Sequence, residues 1–176
     1  PIRLDPNWNG GDYYDGIAPL DGLTASMAMV TQQALHPDFF SASFPDHANV
    51  SQGVLESVTN GFEVTDWLWR RARERARLMD ANHVLYLVRA SQAFVAGHAN
   101  DMTGALKNVQ ARSLFLPAAG DLLLRTELAR QARRALASHG KPAALHEIEG
   151  NMGHLDGLTA IQDQAARLAR FLEADR

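Results

Sequence analysis

The chain has 176 residues, of which 46% are hydrophobic and 21% charged, with a formal net charge of −3. This length suits one domain, and the hydrophobic fraction excludes a disordered chain. The absence of cysteine excludes disulfides, thiolate catalysis and thiolate metal sites. No apolar run is long enough for a membrane-spanning helix, and the near-neutral charge argues against a nucleic-acid partner. A cytoplasmic protein without a membrane partner is expected.

The first seventeen residues form a turn-rich segment. Its stretch 7–16 combines glycine and asparagine, which break regular structure, with three aromatic rings. Rings that carry a polar group can order such a loop when they are buried. Two interpretations stay open for this segment: a packed connector, or a loop that lines a site.

Helices and loops are predicted for the first hundred residues. Apolar residues recur at helical spacing over 20–35, 63–78 and 81–95. Asp21 is placed to cap the first of these helices. Residues 36–61 contain two prolines and many small polar residues, so mostly loop is expected there.

The pattern changes to alternating strands and helices after Lys107. It predicts a strand over 113–116, a helix around 128–136, a strand over 143–148 and a helix over 158–172. This order is typical of a parallel βαβα unit. Because parallel sheets are normally covered on both faces and belong to larger assemblies, further strands are expected from outside this chain.

Two titratable residues follow the predicted strands. Asp121 comes after the first strand and a short Ala-Ala-Gly stretch, and His154 comes after the second in a glycine-containing loop. Functional groups of open parallel sheets lie beyond the carboxyl ends of the strands, which are only ~4.8 Å apart. An acid behind an imidazole fixes its tautomer and stabilises the imidazolium formed during acyl transfer. We therefore predict a catalytic pair, the alternatives being a helix-capping carboxylate and an ordinary loop histidine.

The sequence does not contain the nucleophile that such a pair would serve. No serine has glycine both two residues before it and two residues after it, so a Gly-x-Ser-x-Gly turn is absent. In the α/β-hydrolase fold this turn precedes the acid and the histidine. We therefore expect the nucleophile to lie upstream of Pro1.

Several motifs of the chain match those of one known enzyme family. The most specific is Asp5-Pro6-Asn7-Trp8-Asn9-Gly10-Gly11-Asp12-Tyr13-Tyr14, and weaker ones are Phe62-Glu63-Val64, Asp80-Ala81-Asn82 and Tyr86-Leu87. Asp121 and Gly153-His154 follow in the order and at the spacing of that family's acid and histidine. With these motifs, most of the chain resembles the C-terminal half of the homoserine O-acetyltransferase-like family of α/β-hydrolase-fold enzymes.

The resemblance implies an α/β fold class: the C-terminal portion of an α/β-hydrolase fold with a helical lid, the remaining strands being supplied from outside this chain. It implies a connector from the core over 1–17, the lid over 18–104 and the C-terminal part of the core over 105–176. An upstream serine would take an acetyl group from acetyl-CoA, with no bound cofactor, and pass it to a hydroxyl-bearing small molecule. His154 would act as general base and acid, oriented by Asp121.

The same resemblance implies a macromolecular partner. This partner is the amino-terminal half of the same enzyme, either covalently joined or present as a separate chain. A homodimer is an open alternative for the assembly.

Three positions of the implied substrate pocket depart from the family pattern. Met27 stands where the family has an arginine that helps to hold the homoserine carboxylate, and Ala34 replaces a tyrosine. Leu155 replaces the aspartate that binds the homoserine amine, with Asp156 one place later. A charge-assisted hydrogen bond contributes ~1.5–3 kcal/mol, so losing two charged contacts removes the grip on a zwitterionic amino acid. A less polar alcohol, or water, is therefore the expected acceptor.

Two other functions stay open. A serine hydrolase of the same fold, acting on an ester or amide, would use the same residues with water as acceptor. A non-catalytic helical binding module would instead use the basic run Arg70–Arg77, which could contact the phosphates of coenzyme A or a nucleic acid. A solvated helix face or a subunit contact is the simpler interpretation of that run. The histidines lack metal-ligand spacing, so no metal site is predicted.

Overall fold

The structure consists of helices and a small sheet that fall in two units. The computed structural model describes residues 1–45, 52–94 and 101–173. The first unit comprises Pro1–Gln33 and Phe40–Ala93, and the second comprises Ala34–Phe39 and Phe94–Arg176. The all-helical and the strand-containing parts of the sequence therefore fall largely in different units.

The helices described in the first hundred residues are α1 (Leu20–Ala34), α2 (Pro37–Ser43), α3 (Gln52–Glu56), α4 (Glu63–Ala76) and α5 (Ala81–Ala93). The predictions of α1, α4 and α5 are confirmed to within two residues at their ends, although residue 95 lies outside the described residues. The expectation of mostly loop over 36–61 is wrong in part, because α2 and α3 lie there. Pro37 begins α2 instead of breaking it, since the first residue of a helix needs no backbone donor.

A residue distant in sequence caps the N-terminus of α1. One carboxylate oxygen of Asp5 accepts a hydrogen bond from the Gly22 backbone N–H at 2.7 Å, and the other accepts from Asn7 N–H at 2.9 Å. Asp21, predicted as the cap, lies inside the first turn and pairs on the surface with Arg73 at 3.0 Å. The prediction of this cap is wrong because a carboxylate from another segment accepts from a buried N–H group of the first turn and complements the helix dipole.

A hydrophobic cluster forms the core of the first unit. Its buried members are Ile2, Tyr13, Leu23, Met27, Ala28, Ala72, Ala76 and Ala81. They come from the N-terminal segment, α1, α4 and the start of α5. Burial of their apolar surface holds these elements together.

A polar network around Tyr13 ties the N-terminal segment to the turn between α4 and α5. The Tyr13 hydroxyl donates to Oδ2 of Asp80 and accepts from the backbone N–H groups of Ala81 and Asn82 at 3.1 and 3.2 Å. The Asn82 side chain in turn accepts from Nε1 of Trp8 at 3.0 Å. These contacts pack the segment against α5, but Trp8, Gly11 and Tyr14 also line a pocket of about 640 Å³, so both interpretations of the segment stay open.

The second unit carries the sheet. Its elements in chain order are α6 (Met102–Leu106), β1 (Ser113–Phe115), α7 (Thr126–Ser138), β2 (Ala143–Leu145), α8 (Asp156–Thr159) and α9 (Ala165–Glu173). The two strands are parallel, with Leu114 opposite Ala144. The predicted parallel βαβα order is confirmed.

Both strands are shorter than predicted. The paired ladder stops before Pro117, which has no N–H to donate. An isolated parallel bridge between Ala118 and Ile148 continues the pairing. The two chain segments thus stay side by side up to the loops that carry the candidate site residues.

The helix predicted over 158–172 is interrupted. The backbone of Ala160, with φ −112° and ψ 4°, leaves the helical region, and a 3₁₀ turn over Ile161–Gln164 separates α8 from α9. The apolar spacing runs across this break, so periodicity alone does not reveal it. No helix in the described part of the chain is both long and apolar enough to cross a membrane.

Candidate active site

Asp121 lies in the turn that follows β1 and the Ala118 bridge. The residue is 7% exposed. Its Oδ1 accepts hydrogen bonds from the backbone N–H groups of Leu123 and Leu124, both at 2.8 Å, and its Oδ2 lies 2.8 Å from Nδ1 of His154. The backbone of its own turn therefore fixes one oxygen, and the other faces the imidazole.

These contacts set the charge of Asp121. Burial raises the pKa of its carboxyl group, but hydrogen bonds from Leu124 N–H, His154 and Leu123 N–H together leave the pKa below the ordinary value of 3.8. The group is therefore ionised at neutral pH. Because an ionised carboxylate can only accept, Nδ1 of His154 carries the proton of the bond between them.

His154 follows β2 in the 3₁₀ turn Gly153–Leu155. Its side chain is 38% exposed, against 6% for the side chain of Asp121. Within the described residues, Nε2 of His154 has no hydrogen-bond partner. An imidazole that donates through Nδ1 to a carboxylate and leaves Nε2 accessible can accept a proton and return it.

Asp156 holds the loop that carries His154. It is 2% exposed, and its oxygens lie 3.1 and 3.3 Å from the Met152 backbone N–H, which donates to them. A Cβ atom on Gly150 would lie only 2.0 Å from Oδ1 of Asp156, so glycine allows this approach. The carboxylate is therefore turned into the loop. Sequence reasoning missed this role because an aspartate two residues after the histidine suits either orientation.

A pocket of about 480 Å³ adjoins the acid–histidine pair. The strand β1 with its continuation and the beginning of α7 supply most of its wall. The side chains in this wall are largely apolar and include Phe115, Leu116, Leu124 and Leu128. The accessible face of the imidazole therefore borders an apolar surface.

The two residues predicted to line the substrate pocket fall in different units. Met27 is 5% exposed and belongs to the hydrophobic cluster of the first unit. Leu155 directly follows His154 and is partly buried in the second unit. Their contact with a substrate stays a prediction.

Two arginines of the basic run Arg70–Arg77 have acidic partners in the structure. In the basic run on α4, Arg71 pairs with Glu74 and Arg73 pairs with Asp21 on the surface. Among the described residues, no group of three or more histidine, aspartate or glutamate side chains could hold a metal ion.

Comparisons with known proteins place these features in context. No protein-family model matches the chain. A homoserine O-succinyltransferase from Halorhodospira halophila is 32% identical over 98% of this chain and 44% of its own length. The crystal structure of esterase E22 is 43% identical, with a TM-score of 0.92, over 98% of this chain and 48% of that one.

A homoserine O-acetyltransferase from Bacillus anthracis superimposes with a TM-score of 0.88 at 28% identity, over 98% of this chain and 46% of that one. The chain therefore spans a little under half the length of each of these three proteins. Both an acyltransferase and an esterase match it over nearly all of its residues.

Proposed function

We propose that this chain, which is the C-terminal portion of an α/β-hydrolase fold and resembles homoserine O-acetyltransferase-like enzymes, carries the acid and histidine of a Ser–His–Asp acyl-transfer centre. One observation carries the proposal: Nδ1 of His154 lies 2.8 Å from a buried Asp121 carboxylate, on the two loops that follow neighbouring parallel strands. This arrangement suits the base and the orienting acid of a triad.

The nucleophile of this centre comes from a segment outside these 176 residues. The serine hydroxyl attacks the carbonyl carbon of the acyl donor while its proton passes to Nε2 of His154. The tetrahedral intermediate collapses, the leaving group takes that proton, and an acyl-serine remains. His154 then removes a proton from the acceptor hydroxyl, whose oxygen attacks the acyl-serine carbonyl. When this second intermediate collapses, the ester product forms and His154 returns the proton to the serine oxygen. Asp121 stays ionised and stabilises the imidazolium in both halves of the reaction.

The donor of the transferase reaction is an acyl-CoA such as acetyl-CoA, and the acceptor is a less polar alcohol than homoserine. Leu155 supplies no charge next to His154, and the buried Asp156 is already bound to the Met152 N–H. A free amino acid would leave its ammonium group without a partner there. In this assignment residues 1–17 form the connector, 18–104 the helical lid and 105–176 the C-terminal part of the core.

Hydrolysis of an ester, with water as acceptor, is the second candidate. It is favoured by the 43% identity to an esterase, against 28% to the homoserine O-acetyltransferase of known structure. Both candidates share the acyl-serine and differ only in the second nucleophile.

The complete protein that contains this chain tests the shared mechanism, with p-nitrophenyl acetate as the acyl donor. His154→Ala and Asp121→Asn should each lower kcat by about 10⁴-fold, because the serine loses its base or the base loses its correct tautomer. His83→Ala, which alters an exposed histidine on α5, is the matched control and should leave kcat unchanged. Full activity of the His154→Ala variant would overturn the proposal.

The acceptor is tested by substitution beside the histidine. Leu155→Asp restores the carboxylate that the homoserine-binding pattern requires, so it should raise homoserine acetylation from acetyl-CoA, whereas Leu155→Asn should not. Met27→Arg is unsuitable because it would place a charge in the hydrophobic cluster of the first unit. Acetylation of homoserine by the unaltered protein would contradict the assigned acceptor class.

A further inference from the structure

The turn that joins α1 to α2 contacts both loops of the candidate active site. This turn, Ala34–His36, begins at the last residue of α1 and ends just before Pro37 starts α2. Ala34 is 7% exposed and Leu35 is 4% exposed. The turn is therefore packed inside the second unit, where it meets the residues that precede Asp121 and His154.

The first contact is with Gly153, the residue before His154. Gly153 has a φ of +63°, and a Cβ atom there would lie 2.8 Å from the carbonyl oxygen of Ala34 and 2.8 Å from the backbone N of His36. A side chain at this position would collide with backbone that cannot give way, and its φ would be strained. The backbone of the turn therefore lies directly against the loop of the histidine.

The second contact is with Gly120, the residue before Asp121. A Cβ atom on Gly120 would lie 2.7 Å from Cδ2 of His36, so the imidazole ring lies against the backbone there. Nδ1 of His36 accepts a hydrogen bond from the Asp38 backbone N–H at 3.2 Å, which fixes the ring. One short turn thus abuts the acid loop through a side chain and the histidine loop through its backbone.

We propose that Ala34–His36 is a positioning element for the acid–histidine pair and that His36 is its positioning residue for Asp121. The inference rests on the proposed function, since it concerns the geometry needed for proton transfer. The 2.8 Å contact between Asp121 and His154 joins two loops separated by 33 residues, and the turn lies against the residue that precedes each of them. Misplacement of a catalytic group by about 1 Å can lower a rate 10²-fold.

A double-mutant cycle between Gly120 and His36 in the complete protein tests this role. Gly120→Ala should lower kcat for p-nitrophenyl acetate by about 10- to 10²-fold with KM unchanged, because the methyl group pushes on the ring and displaces the acid. His36→Ala should also lower kcat. In that background Gly120→Ala should add no more than about a twofold change, since the methyl group then has room. His36→Asn keeps an acceptor for the Asp38 N–H and an atom in the place of Cδ2, so it should preserve kcat.

A spectroscopic readout separates positioning from a general loss of structure. The downfield proton resonance of the Nδ1–H of His154 should shift or broaden in Gly120→Ala and His36→Ala and persist in His36→Asn. Gly16→Ala is the control and should leave the resonance unchanged, because a Cβ atom there meets only the Tyr13 carbonyl oxygen, at an ordinary contact distance of 3.7 Å. If Gly120→Ala fails to fold, the inference is tested with His36→Ala, because that substitution only removes atoms.

Two results would overturn the inference. One is an equal loss of kcat from Gly120→Ala in the unaltered protein and in the His36→Ala protein. The other is a His36→Ala variant with unchanged kcat and an unchanged His154 Nδ1–H resonance. Either result leaves the triad intact as long as His154→Ala is inactive. An active His154→Ala variant would instead overturn the proposed function itself.

Discussion

The Asp121 carboxylate is oriented mainly by its own turn. Two backbone N–H groups, of Leu123 and Leu124, hold one oxygen, and His154 takes up the other. Since backbone donors are fixed by the fold, the acid is in place before a substrate binds. Burial of the charged carboxylate has a free-energy cost of desolvation, and the three hydrogen bonds to the carboxylate offset it.

The lowered pKa of Asp121 predicts a pH-dependent contribution to stability. Because the folded-state pKa lies below the unfolded-state value, the ionised group stabilises the fold above pH ~4, and this contribution is lost as the pH falls through the folded-state pKa. Asp121→Asn should lower the free energy of unfolding at neutral pH by about 1–3 kcal/mol, with the difference from the unaltered protein shrinking in acid. Urea denaturation of both proteins, from neutral pH down to acid pH, measures this difference in the free energy of unfolding.

The exposed Asp163→Asn substitution provides the matched control for that titration. It should change the free energy of unfolding little at any pH. A difference between Asp121→Asn and the unaltered protein that stays constant down to the most acidic pH would contradict the expectation.

The closeness of Asp121 and His154 could be expected from the sequence, because residues that follow neighbouring parallel strands emerge at the same edge of a sheet. The orientation of Asp156 could not. Whether its carboxylate faces a substrate or the Met152 N–H depends on the backbone path of one glycine-containing loop. The contacts of Ala34–His36 were also beyond sequence reasoning, since they join segments more than eighty residues apart along the chain.

Among the elements, the N-terminal segment is fixed by hydrogen bonds as well as by apolar packing. The Tyr13 hydroxyl serves as donor to Asp80 and as acceptor for the first N–H groups of α5. It therefore acts as the N-terminal cap of a helix from another part of the chain, much as Asp5 does for α1. Burial and the hydrogen bond to Asp80 raise the pKa of Tyr13 to about 12.

Removal of the Tyr13 hydroxyl should destabilise the turn between α4 and α5. Tyr13→Phe leaves the Asp80 carboxylate and two backbone N–H groups without this partner, so we expect a loss of about 1–3 kcal/mol in the free energy of unfolding. Tyr14→Phe is the matched control, since Tyr14 is 67% exposed and its hydroxyl lies 3.3 Å from Asp80. Urea denaturation measures the free energy of unfolding of both variants. An equal loss in Tyr13→Phe and Tyr14→Phe would contradict the role of the Tyr13 hydroxyl as a helix cap.

The elements that periodicity predicts best are α1, α4, α5 and the β1–α7–β2 unit. The expectation of loop fails at α2, because Pro37 suits the first position of a helix as well as a break. Periodicity fails at Ala160, where the backbone leaves the helix while the apolar spacing continues. Both failures concern where a helix begins or ends, which local backbone geometry decides independently of which face is apolar.

At the scale of the whole molecule, the two-stranded sheet accounts for only a small part of a parallel α/β core. Parallel sheets are normally wider and covered on both faces. The chain also spans a little under half of the esterase and acyltransferase chains that it matches. The predicted C-terminal portion of an α/β-hydrolase fold is confirmed by these comparisons.

Labelling of the natural gene product with a fluorophosphonate, followed by peptide mapping, tests where the nucleophile lies. We expect one modified serine, set in a Gly-x-Ser-x-Gly turn that these 176 residues do not contain. The label should be lost when His154 is replaced by alanine, because the serine is then no longer activated. A label on a serine of this chain would contradict the assignment.

The acid and the histidine are carried by a single strand–helix–strand crossover and lie only 33 residues apart. Along the gene, one short stretch therefore encodes both members of this hydrogen-bonded pair. Met27 and the helices of the first unit are encoded outside that stretch, and so is the turn Ala34–His36. Under the proposed function, the helices can change acceptor specificity without any change in that stretch, provided that the turn Ala34–His36 is kept.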